Sequence, residues 1–264
     1  MSKSAASVLV VLPTLGDRLD FLKETLESVE RQRADLDLTL VVVTPLAAES
    51  ARALALTYGA ILVEDPKSGI SAAINCGLTA RNGEEYYAWV GDDDLFRDGG
   101  LALLKKQLDE DDRAVVAYGG CDYVDPDGNT LWVSAAGNLA KTVLAWGPNL
   151  IPNPAAMIRF DALEAVGGFD EELRYAMDLD VFLSLRRHGR FVALRQSVAA
   201  FRWHPASTTV ANRRASSLEA ERVKRKHLPT GVRVFSPLWA VPVRWASAIA
   251  ASRVTARARA FDGK

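Results

Sequence analysis

Val8-Leu9-Val10-Val11-Leu12, followed by Pro13-Thr14-Leu15-Gly16, is the stretch on which the fold turns. Five consecutive β-branched and aliphatic residues without polar alternation describe a strand covered on both faces, as in a parallel sheet. The turn residues hand the chain to a helix over 17–33, with Leu19, Leu22, Leu26 and Val29 along one face. The rhythm then repeats as strand 38–43, helix 47–58 stopped by Gly59, strand 60–63, helix 70–81 and strand 86–90. Such alternation makes a mostly parallel sheet with helices on both faces, and ligands bind beyond the carboxyl ends of its strands. The loops that matter are therefore 13–16, 65–71 and 91–94.

Beyond a helix over 101–108 the pattern changes. Short strand runs at 115–118, 121–124 and 130–133 surround Asp125-Pro126-Asp127-Gly128-Asn129, a hairpin turn by composition. A helix from about 178 to 188 and strands 191–194 and 199–203 follow, so the second half of the sheet is expected to be mixed.

At 264 residues, 49% apolar and 25% charged, the chain can bury a large core. Its 32 basic and 33 acidic side chains nearly cancel, which removes any global pull towards nucleic acid, and no nucleic-acid module is recognisable. The distribution is uneven. Residues 202–264 hold 13 Lys/Arg and 3 Asp/Glu, a net of +10, leaving a net of −11 on residues 1–201. The two cysteines, Cys76 and Cys121, lack metal-like spacing and point to a reducing compartment. No signal peptide precedes the first strand, and the longest uncharged tail stretch, 234–243, is broken by Pro237 and Pro242. A cytoplasmic location is expected.

The sharpest local feature is Trp89-Val90-Gly91-Asp92-Asp93-Asp94-Leu95-Phe96, three carboxylates directly after a buried strand. Unit charges about 4 Å apart repel by about 4 kcal/mol at an effective dielectric of 20, so the triplet calls for a cation. Mg²⁺ or Mn²⁺ suits carboxylate oxygen and leaves positions for phosphate and water. A solvated loop in which Asp94 caps the next helix is the plainer alternative. The second feature is Tyr175-Ala176-Met177-Asp178-Leu179-Asp180, with Asp178 where an N-cap would sit and Asp180 in the first helical turn. Either carboxylate can accept a proton at neutral pH. Simple capping is again the alternative.

Taken in order, six stretches resemble the inverting glycosyltransferases of family 2. They are Leu12-Pro13-Thr14, Gly69 to Leu78, Trp89 to Phe96, Val166-Gly167-Gly168-Phe169-Asp170, Met177-Asp178-Leu179-Asp180, and Phe201-Arg202-Trp203-His204 with Ser207, so the likeness covers residues 8–209. The resemblance implies a GT-A fold, a Rossmann-like mixed α/β sheet flanked by helices, and transfer of a sugar from a nucleotide-diphosphate sugar to a hydroxyl. It makes Asp92 and Asp93 the metal motif for Mn²⁺ or Mg²⁺, with Asp93 the direct ligand, Asp94 a supporting partner and His204 a histidine that reaches the metal or the diphosphate, a purely structural His being the alternative. Donor-binding positions would be Pro13, Thr14, Asn75, Asp92 and Arg202. Asp178 matches the catalytic base, with Met177 standing where a Glu often precedes it, so a supporting carboxylate is missing unless Asp180 serves. The acceptor side would include Asp180, Trp146 and Asn153. The family's second strand usually ends in acidic residues that bind the base, whereas this one ends Val43-Thr44-Pro45-Leu46. Asp65 and Lys67 are the substitutes, unless that segment is only an Asp-Pro turn.

The chain divides as 1–210, the catalytic domain, and 211–264, a basic, partly amphipathic helical extension. Here Arg213, Arg214, Arg222, Lys224, Arg225, Lys226 and His227 precede Phe235, Leu238, Trp239, Val241, Val243, Trp245 and Ile249, interleaved with Arg233, Arg244 and Arg253. Basic groups beside interfacial aromatics suit an anionic membrane surface, where lipid-linked saccharide acceptors reside. The inner face of the cell membrane and cell-surface glycan or polysaccharide synthesis follow as expectations. The other readings of the extension are a helix packed on the catalytic domain or a contact with a second copy in a homodimer. Rival functions are a non-catalytic sugar-nucleotide binder or scaffold and a sugar nucleotidyltransferase, though residues 13–17 lack the Gly-rich basic loop the latter needs. No G-x-G-x-x-G follows a strand, which disfavours a dinucleotide oxidoreductase.

Overall fold

The computed structural model describes residues 7–134, 137, 139–204, 212–236, 238, 239, 242, 245, 249 and 252. Ser207, Val241, Val243, Arg244 and Arg253, singled out above, lie outside the described residues.

The first half is the expected alternation: β1 (Val8–Pro13), α1 (Leu19–Gln32), β2 (Leu38–Thr44), α2 (Glu49–Thr57), β3 (Ile61–Glu64), α3 (Ile70–Leu78) and β4 (Tyr86–Trp89). β1 lies between β2 and β4 and β3 is outermost, with all these pairings parallel. The run at β1 is continuous because it is buried twice. Leu9 and Val11 pack with Val41, Val43 and Ile74 on the α3 side, while Val8, Val10 and Leu12 meet Leu22, Leu26 and Leu104 on the other. Each layer removes apolar area from water at roughly 25 cal/mol per Å², so sheet and helices stabilise one another.

Then follow β5 (Leu95–Phe96), α4 (Gly100–Glu110), β6 (Ala114–Val124), β7 (Thr130–Ser134), α5 (Leu139–Val143), β8 (Ala156–Arg159), α6 (Phe160–Ala165), α7 (Met177–Leu185), β9 (Arg190–Arg202), α8 (Arg213–His227) and α9 (Thr230–Arg233). The sheet runs β3-β2-β1-β4-β8-β6-β9-β5, with β7 hairpinned onto β6. β8 is antiparallel to both β4 and β6, so the second half is mixed as expected. The strand runs expected at 115–118 and 121–124 are one strand, as are 191–194 and 199–203. β6 and β9 pair in parallel through shifts in register around Gly120. Gly119 permits this, since a Cβ there would stand 2.7 Å from a Val198 methyl. Cys76 and Cys121 are free thiols.

Candidate active site

The carboxyl ends of β1, β3 and β4 open onto a cavity of about 550 Å³. Thr14 from the end of β1, Asp65 and Lys67 after β3, and the aspartate triplet after β4 line one side, and Arg174, Tyr175 and Met177, entering α7, line another. The three loops marked by strand ends therefore share one space with the region of Asp178.

The triplet is held from its own chain. Arg18, at the N-terminal edge of α1, donates from Nη2 to Asp92 Oδ1 and from Nη1 to Asp93 Oδ2, both at 2.5 Å. Thr14 Oγ1 donates to Asp92 Oδ2 at 2.6 Å. His204 Nε2 lies 2.8 Å from Asp93 Oδ2 and 3.4 Å from Arg18 Nη1. Burial pushes the Asp92 carboxyl up to about 6 against the pull of Thr14 and Arg18. Burial acts on Asp93 too, but the His204 bond and the Arg18 charge outweigh it and hold Asp93 below its ordinary value. Asp94 turns inward. Its Oδ1 accepts the Arg202 N–H at 3.0 Å, and burial beside Asp93 raises it well above the carboxylate range.

Arg202 and Asn75 do not line the cavity; they build its frame. Arg202 is 1% exposed, donates from Nε to the Asp93 carbonyl at 3.0 Å and from Nη2 to Glu24 at 2.5 Å, and lies 4.4 Å above the Phe21 ring. Asn75 donates to the Phe169 carbonyl at 2.8 Å and accepts the Phe169 N–H at 3.0 Å, latching α3 to the segment before α7. Asp65 accepts the Lys67 N–H at 2.8 Å, with Lys67 left-handed at φ 57°. The Asp-Pro turn and the cavity position are thus both present. Pro13 lines the cavity, and Trp89 does so with a buried indole N–H that has no hydrogen-bond partner among the described residues.

Asp178 is not the N-cap its spacing suggested. α7 starts at Met177 with Ala176 in that role and has no side-chain cap of its own. The half-buried Asp178 instead accepts the Leu179 N–H at 2.7 Å and Asn149 Nδ2 at 3.0 Å. Burial pushes its carboxyl up to about 6. Asp178 lies beside, not among, the cavity's lining residues. Asp180 does not reinforce it: its carboxylate is bound by His227 Nε2 at 2.8 Å and Lys226 Nζ at 3.2 Å, both from α8. Trp146 is 42% exposed, with its ring 5.0 Å from that of Trp239. Asn153 opens a 3-10 turn, Asn153–Ala155, with its Nδ2 buried and unpaired.

Among the described residues no group of three or more His, Cys, Asp or Glu converges as a metal cage. The donor pair at the cavity is the Asp93 carboxylate, which lines it, and the buried His204 imidazole 2.8 Å behind it. An octahedral ion with bonds of about 2.0–2.1 Å needs neighbouring donors about 3 Å apart, and such ions take few protein ligands and complete their shell with phosphate and water. Asp93 and His204 fit that requirement once His204 Nε2 gives up any proton shared with Asp93 and Arg18 yields its place. Arg18 is the residue the sequence reading missed. The only available signal was its place beyond the end of β1, next to the strand that carries the triplet.

Comparison with known proteins accords with this arrangement. An uncharacterized glycosyltransferase of Rickettsia prowazekii is 22% identical over 211 residues, 76% of this chain and 65% of the relative. One from Rickettsia typhi is 23% identical over the same shares. The chain thus spans 65% of the length of these curated relatives. The mannosyltransferase PcManGT from Pyrobaculum calidifontis, solved with GDP-Man and Mn²⁺, matches with TM-score 0.63 and 20% identity over 95% of this chain and 76% of that one. S. aureus TarS 1-349 with UDP-GlcNAc matches with TM-score 0.66 and 15% identity over 86% of this chain and 69% of that one. The fold is that of the GT-A glycosyltransferases. The model of the glycosyl transferase family 2 matches residues 9–167, more than half of the sequence and including the whole aspartate loop, and this chain belongs to that family.

Proposed function

We propose that the chain is an inverting glycosyltransferase that moves a sugar from a nucleotide-diphosphate-sugar donor to a hydroxyl of a saccharide or lipid-linked saccharide. The observation that carries this reading is the shared cavity, lined both by Asp93, to which His204 is bonded, and by the residues entering α7. The structural neighbours bound to GDP-Man and UDP-GlcNAc support a nucleotide-sugar donor, and the Mn²⁺ of the former supports a divalent ion.

In this reading Asp93 and His204 hold Mn²⁺ or Mg²⁺, with Asp92 orienting the site through Thr14. Bound there, the ion would supply positive charge against the negative charge that develops on the diphosphate. Asp65 and Lys67 flank the nucleotide beyond β3. From beside the α7 end of the cavity Asp178 takes the acceptor hydroxyl's proton as that oxygen bonds to C1 and the C1–phosphate oxygen bond breaks, its electrons leaving with the diphosphate. Attack opposite the leaving group inverts the anomeric centre. An Asp raised to about 6 is ionised at neutral pH yet more basic than an exposed one, which suits a general base. Turnover should therefore fall as pH drops through about 6.

The test is Asp178→Asn, which keeps a side chain able to accept the Leu179 N–H. Turnover should fall by at least about 10²-fold, while thermal stabilisation by a nucleoside diphosphate with Mn²⁺ stays at the wild-type level. Wild-type turnover in this variant removes Asp178 from the reaction.

A further inference from the structure

α8 lies wholly beyond the residues that match the family model, yet it touches every segment that orients Asp178. Its Glu219 carboxylate accepts three successive backbone N–H groups: Arg174 at 3.1 Å, Tyr175 at 2.6 Å and Ala176 at 2.7 Å, with Arg174 also 3.2 Å from the second oxygen. These are the residues leading into α7, whose start has no side-chain cap of its own. Glu219 accepts the N–H groups that lead into the helix and adds a third carboxylate to Asp178 and Asp180 of its first turn at the positive pole.

The same helix grips the other segments around the base. Lys224 Nζ donates to the carbonyl of Gly147, two residues before the Asn149 that bonds Asp178. Lys226 and His227 hold Asp180, two residues past Asp178. Between these points Val223 is 2% exposed. Glu219, Val223, Lys226 and His227 stand at i, i+4, i+7 and i+8, a single face of the helix, and this face is the one docked on the catalytic body. Arg174, Tyr175 and Met177 line the cavity, so the turn that Glu219 fixes is part of its wall.

We propose that α8 is a working part of the active site and that Glu219 is a positioning residue, setting the 174–176 turn and, through it, the base Asp178. The inference rests on the reading of Asp178 as base. Charge-assisted bonds to backbone are the strong kind, and displacements of about 1 Å at a reacting group cost up to about 10²-fold in rate. Glu219 is not among the residues that line the cavity, so its loss should reach kcat and spare donor binding.

The experiment uses the full chain with Glu219→Ala, Glu219→Gln and Asp178→Asn in parallel. Two readouts are taken: hydrogen exchange over 174–179, and release of nucleoside diphosphate from a panel of UDP- and GDP-sugars with Mn²⁺. The Ala variant should exchange faster at 174–176 and lose about 10- to 100-fold in kcat with KM for the donor changed less than about threefold. The Gln variant, which retains one acceptor oxygen, should fall between it and wild type; it also serves if the Ala chain does not fold. Unchanged exchange, unchanged kcat, or a loss confined to KM overturns the proposal while an inactive Asp178→Asn leaves the base in place. Full activity in Asp178→Asn, or no turnover of any donor by the wild type, sinks both.

Discussion

Arg18 shows how charge is balanced at the scale of single residues. Three adjacent carboxylates after a buried strand demand a cation, and the sequence alone pointed to a divalent ion. The structure supplies two cations from the chain itself, Arg18 across Asp92 and Asp93 and Arg202, whose guanidinium meets the Asp93 carbonyl and whose backbone N–H meets the Asp94 carboxylate. Arg18 is 75 residues from Asp93 in sequence, and only the parallel pairing of β1 with β4 brings them together. No local spacing encodes that contact. Glu219 was hidden for the same reason, since its three partners lie more than 40 residues upstream. The arrangement makes Arg18 a competitor of any ion that binds Asp93. In Arg18→Ala, with metal chelated, two buried carboxylates lose charged bonds worth about 1.5–3 kcal/mol each, which at about 2–4 °C per kcal/mol lowers the melting temperature by several degrees. Added Mn²⁺ should then raise it more in the variant than in wild type, and Mn²⁺ should bind more tightly by electron paramagnetic resonance titration. Equal shifts in the two proteins would show that Arg18 and the ion do not share a place.

At the scale of elements, period and burial made the first half readable almost to the residue. The helix expected over 70–81 ends at Leu78, and that over 17–33 is Leu19–Gln32. β5, of two residues, and β8, of four, were not legible, because runs so short carry no period and owe their existence to the strands beside them. α3 shows what fine packing adds. Its Gly77 lies on β1 and β2, where a Cβ would stand 2.5 Å from one Val11 methyl and 3.0 Å from a Val43 methyl. β1 leads into the cavity at Pro13 and Thr14, so a shift of α3 against Val11 is transmitted to Thr14. Gly77→Ala should raise helix propensity yet destabilise the protein by about 1–3 kcal/mol through overpacking, seen as a lower urea midpoint with unchanged slope. Adding Val11→Ala should recover part of the loss, since the two sites share one contact. A neutral or stabilising Gly77→Ala would show that the helix has room to move off the sheet.

At the scale of the whole molecule the chain is divided by charge, with a net of −11 on residues 1–201 and +10 on residues 202–264. Part of that asymmetry is used internally, as Lys226 pairs with Asp170 and Asp180. For α8, then, the reading as a helix packed on the catalytic body is the one the structure bears out. Past α9 the character changes: Val234, Phe235, Leu238, Trp245 and Ile249 are each at least 51% exposed. Among the described residues no helix is long and apolar enough to cross a membrane. Exposed aromatic and aliphatic side chains among basic ones match the chemistry of an anionic bilayer surface, with about 1 kcal/mol from each basic group near the leaflet. We therefore expect the full chain to float with vesicles rich in phosphatidylserine at low salt and to stay behind with phosphatidylcholine alone. Raising the salt to about 1 M, where charges are screened beyond about 3 Å, should release it. Phe235→Ser with Trp245→Ser should weaken flotation without altering the melting temperature, because neither ring is buried in the catalytic body. A chain that remains in the dense fraction at low salt has no membrane role, and concentration-dependent light scattering would then show whether a second copy covers these side chains.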